Sequence, residues 1–318
     1  MIKVNYVPYI GNSELCWANA ASMLLASIGE TVSPSYLETV SGLGLSAFIM
    51  PKNNWLYFQF ALPDQELSYN LKKLGFICRE VIVSKKEAVP LEQLKKDLQK
   101  SPVVVGPINM GLLTYNPQHE FLNGVDHFIL IYGSDDDGVY LHDPDKYPCI
   151  PLSYKTFELV WKSKNIVYGS EHYHYWTDPK RISFPKEEKI YRQTINDFIS
   201  IYKNCDRLTR VNKLITGKEA ILTAAKRFAS EKFKSDELNV LIYSSLPLAT
   251  KRALDLFYFF KSRNPELANF KKEQATLFGK CQILATTKKW KKLGKTLEKL
   301  AEIEEGFRLK ILDRLHNQ

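Results

Sequence analysis

The sequence predicts an α+β domain over residues 1–180 and an all-α helical domain over residues 181–318. Helical and strand patterns mix in the first half, and strand patterns nearly vanish after about residue 180. The charge changes at the same place: residues 1–179 hold 14 Lys and Arg against 19 Asp and Glu, and the remainder holds 30 against 16. The predicted helical domain is therefore basic, which favours an anionic partner.

The first half begins with helices. The stretch "CWANAASMLLASIG", rich in Ala, Leu and Met, predicts a buried helix that begins near Cys16. Ser33 followed by Pro34 predicts a second helix start, and Asp64 is the expected cap of a third. An amphipathic pattern near Pro90 predicts a fourth.

The pattern then changes to strands. "PVVVGPINM" (residues 102–110) is unbroken and β-branched, which predicts a buried strand. "HFILIYG" and "GVYLHDPD" flank a turn-rich Ser-Asp-Asp-Asp, so they predict an antiparallel hairpin. "YGSEHYHYW" (residues 168–176) alternates as a strand does.

The second half predicts a helical bundle. Thr216 and Glu219 have the spacing of a capping box, and "SDEL" and "NPEL" each begin a further helix. A long amphipathic helix covers "KKWKKLGKTLEKLAEIEEGFRLKILDRL".

Composition predicts a cytoplasmic protein. The N-terminal residues lack the apolar stretch of a secretory signal, and no apolar run is long enough to cross a bilayer. The five cysteines are scattered, odd in number and never spaced as CxxC, which argues for reduced thiols and against a disulfide framework or a zinc site.

Cys16 is the candidate nucleophile. It falls in the first turn of its helix, where free N–H groups and the helix dipole favour the thiolate, the reactive form of a thiol. The alternative is ordinary packing, since free cysteine is among the most buried residue types.

His127 and Asp143 are the candidate partners of Cys16. His127 opens the first strand of the hairpin and Asp143 closes the second, so the two side chains should lie side by side at its open end. A carboxylate there can orient the imidazole and stabilise its cation. The alternatives are an edge histidine and an ordinary Asp-Pro turn.

These segments, "LCWANAASMLL" and "DHFILIYGSDDDGVYLHDP" in that order, resemble papain-like cysteine peptidases of the C39 type. More closely, together with "GLGLSAF", "SPVVVGPINMGLLTY" and the helical tail, they resemble the butirosin biosynthesis protein H family over nearly the whole chain. That resemblance implies a papain-like catalytic domain over residues 1–180 and a helical C-terminal domain.

The resemblance also implies cysteine-dependent acyl transfer, in which Cys16 is the nucleophile, His127 the general base and acid, and Asp143 the orienting carboxylate. The donor would be an acidic acyl carrier protein or another thioester, with its phosphopantetheine arm as part of the substrate, and the acceptor a small amine. No further cofactor, metal or membrane partner is expected, and nucleic acid is disfavoured.

The oxyanion-binding group departs from the papain-like pattern. Those enzymes usually carry a glutamine about six residues before the cysteine, and Ile10 stands there in this chain. The nearest amide is Asn12, which can donate to an oxyanion with the Cys16 backbone N–H or simply form a turn.

Five residues are weaker candidates for substrate binding, each with a structural alternative. Trp17 can wall the site or fill the core, and Gly42 and Gly44 can admit substrate or form a loop. Asn109 and Tyr115 follow a buried strand and can line the acceptor pocket or cap its end.

His172 and His174 share a strand face but have no evident third ligand, so surface histidines are favoured over a metal site. The remaining functional alternatives are a C39-like cysteine peptidase, a non-catalytic binding module on the same fold, and, on the basic tail alone, a nucleic-acid binder.

Overall fold

The computed structural model describes residues 3–4, 7–11, 15–60, 63–166, 171–211 and 213–313. The chain divides into two units: Met1–Leu37 with Pro63–Lys186, and Glu38–Leu62 with Glu187–Gln318. The segment Glu38–Leu62, which the sequence analysis assigned to the first domain, thus belongs to the second unit.

The first unit combines helices with an antiparallel sheet. Its helices are α1 (Cys16–Ala26), α2 (Pro34–Ser41, within which the division falls), α3 (Pro63–Lys73), α4 (Leu91–Leu98) and α5 (Tyr154–Lys162). Its strands are β1 (Lys3–Val4), β4 (Phe76–Ser84), β5 (Val103–Asn109), β6 (Asp126–Ser134), β7 (Gly138–Asp143), β8 (Tyr147–Ser153) and β9 (His172–Arg181). The short strands β2 (Phe48–Ile49) and β3 (Leu56–Tyr57) lie in the second unit.

The sheet has the order β4-β9-β5-β6-β7-β8, with β1 paired to β6. The predicted hairpin is β6 and β7, which pair antiparallel with Leu130 opposite His142 and Ser134 opposite Val139. β5 is buried along its whole length, as its β-branched sequence predicts. Residues of β5 and β6 pack with α4 and α5 in one hydrophobic core. The sheet therefore provides a rigid support for the hairpin that carries His127 and Asp143.

The second unit is a helical bundle. Its helices are α6 (Glu187–Arg210), α7 (Gly217–Ala229), α8 (Ser235–Val240), a π-helical turn (Leu241–Ser245), α9 (Leu246–Lys261), α10 (Pro265–Thr286) and α11 (Trp290–Leu312). The segment Glu38–Leu62 enters its core because four apolar side chains pack among the helices: Ala47, Ile49, Leu56 and Phe58. The prediction of an α+β domain with an all-helical region after it is confirmed, except for this segment.

Several local predictions need correction. The Thr216–Glu219 capping box does not form, because the Thr216 hydroxyl lies 2.6 Å from that of Thr209 and donates to the Cys205 carbonyl oxygen. The helix assigned to an Asp64 cap begins one residue earlier, at Pro63. The cap at "NPEL" is confirmed, since the Asn264 Oδ1 accepts from the Leu267 N–H at 3.0 Å.

Candidate active site

Cys16 is the first residue of α1, as predicted. It is partly exposed, whereas the nine residues after it are buried. Leu15 precedes it in the left-handed conformation (φ 55°), a strained backbone for a residue with a side chain. Leu15 has no polar side-chain atom to cap the helix, so the positive end of α1 is directed at the thiol and at any anion formed beside it.

His127 lies next to Asp143 at the open end of the hairpin, as predicted. The His127 Nε2 is 2.6 Å from the Asp143 Oδ1. Both side chains are removed from solvent, with 5% of His127 and none of Asp143 exposed. The Cys16 thiol makes a hydrogen bond with the same imidazole. Because Nε2 faces the carboxylate, Nδ1 is the ring nitrogen left for the thiol.

The electrostatics favour a cationic His127. Burial alone would lower the pKa of His127, but the Asp143 carboxylate and the Cys16 thiol outweigh burial and hold it well above its usual value. Burial would raise the pKa of Asp143, but the charge and hydrogen bond of His127 hold it below its usual value. The pair is therefore an imidazolium and a carboxylate around neutral pH, which is the form that stabilises a neighbouring thiolate.

Three donors satisfy the Asp143 carboxylate. The Oδ1 that faces His127 also accepts the Asp145 backbone N–H at 2.7 Å. The Oδ2 accepts the Tyr115 phenol at 2.8 Å. The Tyr9 phenol donates to the Asp143 backbone carbonyl oxygen at 2.9 Å. The carboxylate is held by groups from three separate segments of the chain.

Asn109 holds both ends of the loop between β5 and β6. Its Oδ1 accepts from the Gly111 N–H at 2.9 Å and from the Gly124 N–H at 3.0 Å. Its Nδ2 donates to Asn123 and Ser163. Asn109 is 1% exposed and its amide is engaged on both sides, so its place in the structure is that of a clamp at the base of the loop.

The other weak candidates lie elsewhere. Trp17 is 1% exposed and belongs to the buried face of α1. Gly42 and Gly44 belong to the second unit, where a Cβ on them would come within 2.6 Å of Ile201 and 2.8 Å of Arg252. Asn12 lies outside the described residues. Tyr115 is the one weak candidate that the structure brings to the Cys16–His127–Asp143 group.

The histidines of β9 differ from expectation. His172 is exposed, but His174 is buried, with its Nε2 at 2.6 Å from a Glu80 carboxylate oxygen and its ring stacked at 3.8 Å on Trp176. His174 is thus a paired core histidine and not a surface one. Within the described ranges, no group of three or more His, Cys, Asp or Glu side chains could hold a metal ion.

All five cysteines are free thiols. Burial raises the pKa of Cys78, Cys205 and Cys281 to about 12, so these three thiols stay protonated. Cys149 is exposed.

Sequence reasoning missed the contacts of Tyr115 and Tyr9 with Asp143. The phenol of Tyr115 is separated by 28 residues from Asp143, and that of Tyr9 by 134, so no local periodicity could indicate either pairing. The nearest signal was the position of Tyr115 just after a buried strand.

None of the helices that the structure describes is long and apolar enough to cross a membrane.

A solved structure described as a putative C39-like peptidase from Bacillus anthracis is similar to part of this chain. The match covers 57% of this chain and 100% of that structure's chain, with a TM-score of 0.39 and 18% identity.

Residues 211–312 match the family model of the YobF C-terminal domain. The uncharacterized protein YobF of Bacillus subtilis (strain 168) is 36% identical over 304 residues, which span 96% of this chain and 98% of that protein. The chain therefore belongs to the YobF family.

Proposed function

We propose that this protein is a cysteine-dependent acyltransferase that carries an acyl group on Cys16 from a thioester donor to an amine. One observation carries the proposal: Cys16, His127 and Asp143 contact one another in that order. The partly exposed thiol lies against the imidazole, and a buried carboxylate holds the imidazole in place. A nucleophile, a base and an orienting group in this arrangement are the requirements of covalent acyl catalysis.

In the resting site the Cys16 proton already lies on His127, and in the first half-reaction the Cys16 thiolate attacks the thioester carbonyl. The backbone N–H of Cys16, at the positive end of α1, faces the oxyanion. Collapse of the tetrahedral adduct breaks the bond to the donor sulfur, and His127 gives its proton to the departing thiolate. The product of this step is acyl-Cys16 and a free donor thiol.

In the second half-reaction an amine attacks the acyl-Cys16 carbonyl and gives its proton to His127. The bond to the Cys16 sulfur breaks and an amide is released, which restores the Cys16 thiolate beside the His127 imidazolium. Water in place of the amine would give hydrolysis, so the acceptor distinguishes a transferase from a peptidase-like hydrolase. The resemblance to the butirosin biosynthesis protein H family supports the amine.

The test uses the full chain and an acyl N-acetylcysteamine thioester as the donor. We expect intact-mass spectrometry to show one added acyl group, mapped to Cys16, which an added primary amine then removes as an amide. The variant Cys16→Ser should lose the adduct, whereas Cys149→Ser, the matched change at an exposed thiol, should keep it. No adduct on the wild type would refute the proposal, and release by water with no amide formed would favour the hydrolase.

An acidic acyl carrier protein is the proposed natural donor, because residues 180–318 carry 30 Lys and Arg against 16 Asp and Glu. Loading from the carrier should slow as salt rises, and slow again when the exposed lysines 288, 289, 291 and 292 are changed to Glu. Loading from the small thioester should respond to neither change. Equal sensitivity of both donors would contradict the docking.

A further inference from the structure

Tyr115 completes the hydrogen bonding of the buried carboxylate next to the active-site imidazole. Asp143 has two carboxylate oxygens with different partners. Its Oδ1 accepts from His127 and from the Asp145 N–H, and its Oδ2 accepts from the Tyr115 phenol at 2.8 Å. Without the phenol, the Oδ2 would be a charged oxygen in a side chain that has no exposed surface. The carboxylate would then gain by rotating towards other donors.

The phenol itself is held in place from two directions. Its loop is clamped at the base by Asn109, which accepts from backbone N–H groups at both ends. At the tip, the Tyr147 ring lies edge-on to the Tyr115 ring at 5.5 Å, and the Asn116 amide donates to Asp145 at 3.2 Å. The loop thus presents the Tyr115 hydroxyl to Asp143 from a fixed position.

The charge state suits this role. Burial, followed by the nearby Asp143 carboxylate, raises the pKa of Tyr115 far above its usual value, so the phenol is protonated and able to donate around neutral pH. Its hydrogen bond in turn helps to lower the pKa of Asp143. The pairing keeps the carboxylate ionised and in one orientation.

We propose that Tyr115 is a positioning residue of this active site: its phenol holds the Oδ2 of Asp143 so that the Oδ1 stays aligned with the Nε2 of His127. Tyr115 acts through Asp143 and is not assigned a contact with substrate. The inference rests on the proposed function where it is tested by the rate of Cys16 acylation. It does not depend on that function where it is tested by the NMR titration of Asp143.

The titratable groups around Asp143 define what a pH titration will sense. They come from five parts of the first unit: His127 on β6, Tyr115 on the loop, Tyr9 before α1, Asp145 in the turn after β7, and Tyr147 at the start of β8. Cys16 acts through its contact with His127.

The experiment compares Tyr115→Phe with a matched control at the other end of the same hairpin. There the Tyr140 phenol donates to the Asp135 Oδ2 at 2.6 Å, so Tyr140→Phe removes the same type of bond at the hairpin turn. Near-UV circular dichroism checks that both variants are folded. The readouts are the rate of Cys16 acylation against donor concentration, its pH profile, and the NMR titration of the Asp143 carboxyl carbon.

For Tyr115→Phe we expect kcat to fall between about 10-fold and 100-fold, the factor for one hydrogen bond to a charged group, with the donor KM unchanged. Loss of a donor raises the pKa of Asp143, so the acid limb of the profile and the NMR midpoint should both move to higher pH. Tyr140→Phe should leave kcat, the acid limb of the profile and the Asp143 midpoint at the wild-type values.

Wild-type kinetics in Tyr115→Phe with an unmoved Asp143 midpoint would overturn the inference. A rise in KM without any pH shift would also overturn it, in favour of substrate binding by Tyr115. If the wild type forms no acyl-Cys16, the proposed function fails, and the Asp143 midpoint alone then decides whether Tyr115 fixes the carboxylate.

Discussion

Two buried histidines on one hairpin have pKa values that are shifted in opposite directions. His127 on β6 meets the Asp143 carboxylate and the Cys16 thiol, and its pKa is held well above its usual value. His142 on β7 is buried to the same extent, with 4% exposed, but its partners are two backbone groups. Its Nε2 donates to the Val7 carbonyl oxygen and its Nδ1 accepts from the Cys149 N–H, each at 3.1 Å.

The difference lies in the partners and not in the burial. Burial lowers the pKa of His142, and only a backbone carbonyl opposes it. Burial also lowers the pKa of His127, but there a carboxylate at 2.6 Å outweighs it. Both histidines adjoin a cysteine, yet His127 meets the thiol of Cys16, whereas His142 meets only the backbone N–H of Cys149. His142 with Cys149 is therefore an internal control for the proposed catalytic pair.

Removal of the carboxylate should have the largest effect. In Asp143→Asn the imidazole loses the anion that stabilises its cation, and we expect Cys16 acylation to slow about a thousandfold or more. The measurement is the single-turnover acylation rate.

Asp136→Asn is the control, because Asp136 is an exposed carboxylate in the turn of the same hairpin. It should retain activity within a few-fold, on the order of a single surface charge. Equal loss in the two variants would show that the net charge of the hairpin, and not the His127–Asp143 pair, determines the rate.

Thiol reactivity gives a smaller and simpler contrast. With iodoacetamide at pH 7, Cys16 should react about tenfold faster than Cys149 although Cys149 is the more exposed, because the Cys16 thiol lies beside the His127 imidazole whereas Cys149 meets a histidine only through its backbone N–H. Cys78, Cys205 and Cys281, with pKa values of about 12, should remain unlabelled in the folded protein. Peptide mapping after a time course gives the order. Labelling of Cys149 ahead of Cys16 would contradict the role of His127.

Local patterns in the sequence were sufficient to place Cys16, His127 and Asp143. The start of α1 and the apolar strands around a Ser-Asp-Asp-Asp turn determine where each side chain lies, since hairpin pairing converts 16 residues of separation into contact. The fold class followed from the same periodicities.

What could not be predicted depends on contacts between distant segments. The strand β8 contains two prolines, and an Arg-Glu pair interrupts the apolar residues of β4, so neither strand shows a clear alternation. The packing of Glu38–Leu62 with the C-terminal helices, and the approach of Tyr115 to Asp143, are set by tertiary packing that no local pattern encodes. Asn109 is predicted to follow a buried strand, whereas it is the last residue of β5, and only its bonds to Gly111 and Gly124 show that it clamps a loop.

The smallest predicted effect is on the free energy of unfolding. His127 and His142 should change its pH dependence in opposite directions. A raised pKa at His127 stabilises the fold below about pH 6.5, and that contribution is lost as pH rises through its folded-state value. A lowered pKa at His142 does the reverse: its contribution is complete above about pH 6.5 and is lost as pH falls below it, since the unfolded chain then binds the extra proton.

His142→Gln isolates the second contribution, because an amide can donate to Val7 and accept from Cys149 without titrating. Between pH 7 and pH 5 the free energy of unfolding of the wild type should fall more steeply than that of the variant, by at most about 1.4 kcal/mol per pH unit, the slope for one proton. Urea unfolding at each pH measures both curves. Parallel curves for His142→Gln and the wild type would mean that His142 takes up a proton equally in the folded and unfolded chains, and that the two histidines do not differ as described.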